Sequence, residues 1–158
     1  MQRPYNDNQS YHLQICGKVA TELQLSMYDL RELDQFEANQ LPLRCGSGEP
    51  KGCSLSGKGV LLTDVINLAD VIAAGHNDTK KMFIIARSDD GYTTVFSWQE
   101  LFNTVVGEGV LILLEKDGVP LYGGHGPADL ISGRDFLSGP RYVKRLARIE
   151  IVLLDEFI

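Results

Sequence analysis

The sequence predicts a mixed α+β domain with two long glycine-rich loops, and three observations carry that prediction. Two apolar runs, Met82-Phe83-Ile84-Ile85-Ala86 and Val110-Leu111-Ile112-Leu113-Leu114, each lead into an Asp-Gly turn, as strands joined by tight turns do. Two Ser-x-x-acid capping boxes, Ser26 with Asp29 and Ser97 with Glu100, open short helices. Two segments dense in glycine, Cys45 to Gly59 and Gly123 to Gly139, read as loops.

In chain order, residues 1–11 are polar and lack periodicity, which predicts a flexible tail before a single domain over 12–158. Leu13 to Cys16 reads as a strand ending at Gly17. Ser26 caps a helix running to Leu33, and Leu41 to Arg44 is a short strand. From Cys45 to Gly59 five glycines and Pro50 argue against a helix or a central strand. Thr63 caps a helix whose apolar positions are Val65, Leu68, Ala69 and Ile72, with Gly75 as its terminator. His76 would then sit at a helix C-terminus, where the dipole favours a cationic imidazole. Ser88-Asp89-Asp90-Gly91-Tyr92 is a hairpin turn in which Gly91 supplies positive φ. A helix from Trp98 to Thr104 follows, then the strand entering Lys116-Asp117-Gly118. The final element, Val143 to Leu154, is mainly strand. Alternation there puts Arg141 and Arg145 on one face and Lys144 and Arg148 on the other, either as a charged edge strand or as a local anion site.

Bulk properties narrow the function. The 158 residues carry 15 Lys+Arg against 21 Asp+Glu, a net charge of −6. That balance disfavours nucleic acid and anionic lipid as partners. No apolar stretch approaches the roughly 20 residues that cross a bilayer, so no membrane insertion is expected. Residues 1–10 have no signal-peptide core, which leaves a periplasmic protein without its leader or a cytoplasmic one. Cys16, Cys45 and Cys53 lack C-x-x-C spacing. Cys45 beside Arg44 is open to two readings, a reactive thiolate or a Cys45–Cys53 disulfide pinning the loop. Gly123-Gly124-His125-Gly126-Pro127 lacks the Lys-Ser/Thr ending of a phosphate loop, and no G-x-S-x-G or H-E-x-x-H is present.

The order of short motifs resembles the sulfite oxidase-type molybdopterin-binding domain. The segments that carry it are Leu13 with Gly17 and Val19, Leu25-Ser26 with Asp29-Leu30, and Leu43-Arg44-Cys45-Gly46. They continue with Gly59-Val60, Asp90-Gly91-Tyr92, His125-Gly126-Pro127, and Gly139 with Val143-Lys144 and Ile149-Glu150. The resemblance implies that fold, with a pterin ligand contacted by Arg44, Cys45, Ser88, Asp90, Tyr92, His125, Arg141, Tyr142 and Lys144. Catalytic members place a cysteine thiolate on molybdenum in the Cys45 segment.

Departures from the family pattern bear on function. Gly57 stands where an aromatic is usual, Asp129 where an arginine is usual, and Arg145 where a tryptophan is usual. Only about a dozen polar residues precede Leu13, where catalytic members have a cofactor-enclosing segment. These differences resemble the short stand-alone periplasmic pterin-binding branch. They imply a non-catalytic pterin-binding regulator, with no metal and no stoichiometric molybdenum, whose partner is the periplasmic part of a membrane-bound cyclic-di-GMP enzyme (a diguanylate cyclase or phosphodiesterase). The alternative is a small molybdopterin-dependent oxidoreductase with Cys45 as metal ligand.

Overall fold

The computed structural model describes residues 11–44 and 50–156, with backbone alone at 40, 42–44, 50–53 and 156. Ten strands and three short helices build it. The strands are β1 (Leu13–Gly17), β2 (Leu23–Leu25), β3 (Gln35–Arg44), β4 (Pro50–Leu61), β5 (Met82–Ser88), β6 (Thr93–Ser97), β7 (Val110–Lys116), β8 (Val119–Pro120), β9 (Ala128–Ser132) and β10 (Val143–Leu153). The helices are α1 (Met27–Arg31), α2 (Leu62–Leu68) and α3 (Trp98–Asn103).

The sheet runs β2-β1-β10-β9-β7-β4-β3. β5 pairs with β10 and carries β6, while β8 hangs on β7. β10 organises the whole. Leu146 pairs with Ser88 of β5 and Ala128 of β9, and Ile149 pairs with Ala86 of β5 and Ile15 of β1. β5 therefore occupies one edge of β10 from Leu146 to Leu153. The other edge serves β9 first and β1 afterwards. The switch falls between Leu146 and Arg148, just after a bulge between Val143 and Leu146, where Arg145 has φ 57. A bulge adds a residue and turns the strand, so strict alternation fails there. The expected charged edge strand is thus corrected: β10 is central, and Arg145 does not keep its alternating face.

Both glycine-rich segments contain strands, which corrects the two-loop expectation. β4 lies between β3 and β7. Its glycines mark close backbone approach rather than freedom. A Cβ on Gly59 would sit 2.1 Å from the Ile112 carbonyl oxygen, and one on Gly57 would sit 2.8 Å from Leu113 Cδ2. β9 is buried along all five residues between β7 and β10.

The capping boxes form as expected. Asp29 N–H donates to Ser26 Oγ at 3.2 Å and Ser26 N–H to the Asp29 carboxylate at 2.9 Å. The Ser97–Glu100 pair matches it at 3.0 and 2.8 Å. α2 departs from expectation: Leu61 is its N-cap, Thr63 makes no cap, and the helix stops at Ala69. Asp70 then has φ 53, and Ile72 N–H donates to Lys18 O at 3.0 Å, drawing the chain away from the helix. Gly75 and His76 fall in a later turn, not at a helix end.

One large core takes Leu13 and Ile15, Leu30, Val65 and Ile66, Ile84, Phe96, Ile112 and Leu130, and Ile149. A second, smaller cluster of Leu55, Leu111, Leu113 and Ile131 packs with Leu41, Leu61, Leu121 and Tyr142. β7 feeds both, sending Ile112 and Leu114 one way and Leu111 and Leu113 the other. A strand buried on both faces reads as an unbroken apolar run, which is why its sequence is Val-Leu-Ile-Leu-Leu. Tyr11, expected in the tail, packs against the large core.

Candidate functional site

The turn between β5 and β6 is tightly satisfied by its own residues. Ser88 N–H donates to Tyr92 O at 2.8 Å, and Tyr92 N–H reaches Ser88 Oγ at 2.9 Å and Asp90 Oδ1 at 3.1 Å. The Ser88 hydroxyl donates to the same Asp90 oxygen. Gly91 has φ 96 with open space where a Cβ would be. The Ser88 hydrogen bond, then the Tyr92 N–H, hold the Asp90 carboxyl below the usual carboxylate range. Asp90 is therefore an exposed, ionised acceptor at the tip of a rigid hairpin.

Two contacts fasten this turn to the start of β10. The Tyr92 hydroxyl donates to Pro140 O at 2.5 Å. Asp89 N–H donates to Arg145 O at 3.0 Å, and the Arg145 guanidinium returns to the Asp89 carboxylate at 2.6 Å. The bulge is thus held from the hairpin side by both backbone and charge.

Asp129 holds it from the β9 side. Its carboxylate is 3% exposed and accepts three donors: Tyr142 OH at 3.0 Å, Arg145 N–H at 3.0 Å and Tyr122 OH at 3.3 Å. Burial first, then the Asp129 charge, pushes the Tyr122 and Tyr142 hydroxyls upward. Both tyrosines stay neutral donors around a buried anion. The Lys144 ammonium lies 5.9 Å from the Tyr142 ring centroid, and the Arg145 guanidinium 5.7 Å from that of Tyr122.

Ser88, Asp90, Tyr92, Tyr142 and Lys144 are brought together in this way. His125 stands at the end of a kinked turn in which Tyr122 and Gly123 both have positive φ. Tyr122 bonds that loop to Asp129. Arg141 is placed differently from a free anion receptor. Its guanidinium grips Asp135 at 2.7 and 2.8 Å and Glu100 at 3.2 Å, donates to Val95 O at 3.2 Å, and lies 4.3 Å over the Phe96 ring. Its charge is spent on carboxylates and a ring. Cys45, the side chains of Arg44 and Cys53, and any Cys45–Cys53 bridge lie outside the described residues. Among the described residues, no group of three or more His, Cys, Asp or Glu could hold a metal ion.

Three residues central to this geometry carry no pterin role in the sequence reading: Asp89, Tyr122 and Arg145. Asp129 stood out only as a departure. The Asp89-Asp90 doublet in the turn was the available signal, since only one of the two is needed for the turn itself.

The described residues suit a flat pterin ring. Its amino-pyrimidinone edge offers N–H donors, and Asp90 is an ionised acceptor. Tyr92, 46% exposed, offers a ring face. Lys144 is exposed and has no carboxylate within ion-pairing distance among the described residues, so it suits an anionic tail. The cavity touching this region, about 230 Å³, is lined by Tyr11, His12, Asp89, Gly126, Pro127 and Arg145. Neither it nor a larger one of about 520 Å³, involving Phe36, Leu41, Leu61 and Arg134, is lined by Asp90, Tyr92 or Lys144.

Comparison with known proteins agrees with the fold. The sulfane dehydrogenase SoxCD of Paracoccus pantotrophus superposes with a TM-score of 0.66 at 20% identity, over 94% of this chain and 40% of that one. The chain thus spans well under half the length of that protein. No curated protein matches significantly in sequence. Residues 1–155 match the family described as "Oxidoreductase molybdopterin binding domain". The expectation of a non-catalytic protein gains no support from that family, whose description is that of oxidoreductase domains. With residues 1–155 of its 158 matched, this chain belongs to the oxidoreductase molybdopterin-binding domain family.

Proposed function

We propose that this chain is the cofactor-binding domain of a molybdopterin-dependent oxidoreductase. The pterin lies on the face formed by the Ser88–Tyr92 turn, Asp129 and the start of β10, and Cys45 is the thiolate for the metal. One observation supports this reading: Tyr92 and Asp89 bond directly to Pro140 and Arg145, which joins the turn to the start of β10. Asp90 accepts from the pyrimidine N–H groups, Tyr92 stacks on the ring, and Lys144 meets the anionic tail. His125 contributes from the loop tied down by Tyr122. When bound, the molybdenum centre supplies two-electron redox chemistry. The chain's own residues bind and orient it. The likeness to a sulfane dehydrogenase supports the oxidoreductase reading.

A second reading is favoured by a specific observation. Asp129 puts a buried carboxylate beneath the site, and Arg141 and Arg145 are already neutralised by Asp135, Glu100 and Asp89. Such a site leaves a phosphorylated tail Lys144 in place of two further arginines, so a simple pterin suits it better, because charge-assisted pairs need a free cation. The chain would then be a pterin-binding regulator acting on the periplasmic part of a membrane-bound cyclic-di-GMP enzyme. Metal and pterin analysis of protein made in a molybdenum-competent host separates the two. Near-equimolar molybdenum, lost on Cys45→Ser, supports the oxidoreductase. Bound pterin without molybdenum supports the regulator. Protein that takes up neither, even with pterin added, sinks both.

A further inference from the structure

Tyr11 joins the two segments that frame the candidate site. Its hydroxyl donates to Leu146 O at 2.6 Å, where Leu146 pairs with Ala128 and the β10 bulge ends. Its side chain packs against Gly126, one residue beyond His125. A Cβ there would sit 2.4 Å from Tyr11 Cδ1. The same side chain lines the cavity that Asp89, Gly126 and Arg145 also line. Burial pushes its hydroxyl far above the ordinary tyrosine value, so it stays a donor.

We propose that Tyr11 is a positioning residue for the ligand site. It locks the His125 loop and the Arg145 bulge in the geometry that binds the pterin. The inference rests on the pterin reading above, and it assigns a role in that reading to a residue that touches no ligand. The physical argument is one of pre-organisation. Asp89 and Asp129 hold Arg145 from the hairpin and β9 sides, while Tyr11 supplies the three atoms nearest a Cβ built on Gly126. Tyr11 contacts both segments at once, so its removal frees them together. The affinity of a site falls by the fraction of time it spends out of its competent form.

The test uses two variants and two readouts on the full chain. In unliganded protein, Tyr11→Ala should raise hydrogen exchange at amides 122–126 and 144–146 by about tenfold, leaving β7 amides unchanged. With tetrahydrobiopterin as the probe, at a temperature where each variant is folded, Tyr11→Ala should weaken binding about tenfold. Tyr11→Phe keeps the ring over Gly126 and loses the bond to Leu146, so its affinity should fall only about threefold. It also serves if the alanine variant does not fold. Exchange that rises evenly across the sheet overturns the proposal, and so does Tyr11→Ala affinity within about twofold of wild type. If wild-type protein does not bind the probe, the pterin reading falls. The exchange pattern then still decides, by its confinement to the loop and bulge or its spread, whether Tyr11 positions them.

Discussion

The hydroxyl of Tyr142 donates to Asp129 at 3.0 Å, and the carboxylate that receives it is buried between β7 and β10. The other carboxylate oxygen is shared by Tyr122 and the Arg145 N–H. Residues from three parts of the chain meet on one side chain. Asp129→Ala leaves three donors without their acceptor, and losing a charged hydrogen-bond partner costs about 1.5–3 kcal/mol. We expect that loss in chemical denaturation, with Tyr142→Phe costing only about 1 kcal/mol because it leaves Asp129 two donors. Equal stability of Asp129→Ala and wild type would remove Asp129 as the keystone of the site.

The same pair sets an alkaline dependence. Burial, then the Asp129 charge, raises the Tyr142 hydroxyl above its ordinary value. A group raised in the folded state contributes stability fully present below its unfolded value, about 10 for tyrosine, and lost as pH rises through its folded value. Stability should therefore decline above about pH 10, and more gently in Tyr142→Phe. Absorbance titration of wild type minus Tyr142→Phe should place this ionisation high, and Asp129→Asn should move it down. A midpoint that ignores Asp129→Asn would contradict the assigned cause.

Gly59→Ala is expected to be among the most damaging single-atom additions in the chain. The added carbon would lie 2.1 Å from the Ile112 oxygen, inside the β4–β7 pairing. Overpacking typically costs about 1–3 kcal/mol, and here the obstacle is backbone that cannot rotate away. Gly91→Ala meets nothing within 4 Å and suffers only from its φ of 96, about 1–2 kcal/mol. Thermal unfolding of the two variants should rank Gly59→Ala clearly lower, and the reverse order would refute this account of β4.

Asp90→Ala and Tyr92→Ala should each weaken pterin binding by at least about tenfold without unfolding the domain. Binding should also fall in acid as pH drops through the lowered Asp90 value, since only the ionised carboxylate accepts both N–H donors. Arg148→Ala should change little, because Arg148 contacts Cys16 and Glu150 instead. Calorimetry giving wild-type affinity for both Asp90→Ala and Tyr92→Ala would mean that the pterin binds elsewhere.

Cys16 is buried, with Arg148 Nε 3.1 Å from its sulfur. Native protein should protect it from alkylation, since access limits thiol reactivity. Under the regulator reading, denaturing protein made by an oxidising route should expose Cys16 alone, with Cys45 and Cys53 joined in a bridge that excludes Cys45 as a metal ligand. Three alkylated thiols in that preparation would dispose of the disulfide.

What could be read from the sequence was local. The capping boxes at Ser26 and Ser97 and the turns at Gly91 and Gly118 depend on residues within a few positions of each other. β4 was missed because glycine was taken as freedom, whereas Gly57 and Gly59 answer to Leu113 and Ile112, 56 and 53 positions on. The α2 terminus was missed because Ile72 keeps helical spacing, while its N–H is claimed by Lys18. The site was legible only as separate motifs. Asp90 and Tyr92 were visible as turn and ring, yet the Asp89–Arg145 pair that joins them to β10 is purely tertiary. Arg141 looked like an anion receptor because its run is basic; Asp135 and Glu100 neutralise it only in three dimensions.

The forked pairing of β10 has a consequence for how the chain folds. β1, β5 and β9 lie early, midway and late in the sequence, and each needs β10 as a neighbour. Until the last strand has left the ribosome, the β1–β2 and β5–β6 hairpins and the β7–β9 pair have no common seam. Pairings of such sequence separation are slow, and the waiting edges invite the wrong partners. Refolding should therefore be rate-limited by β10 docking, with the nascent chain dependent on chaperones until that moment.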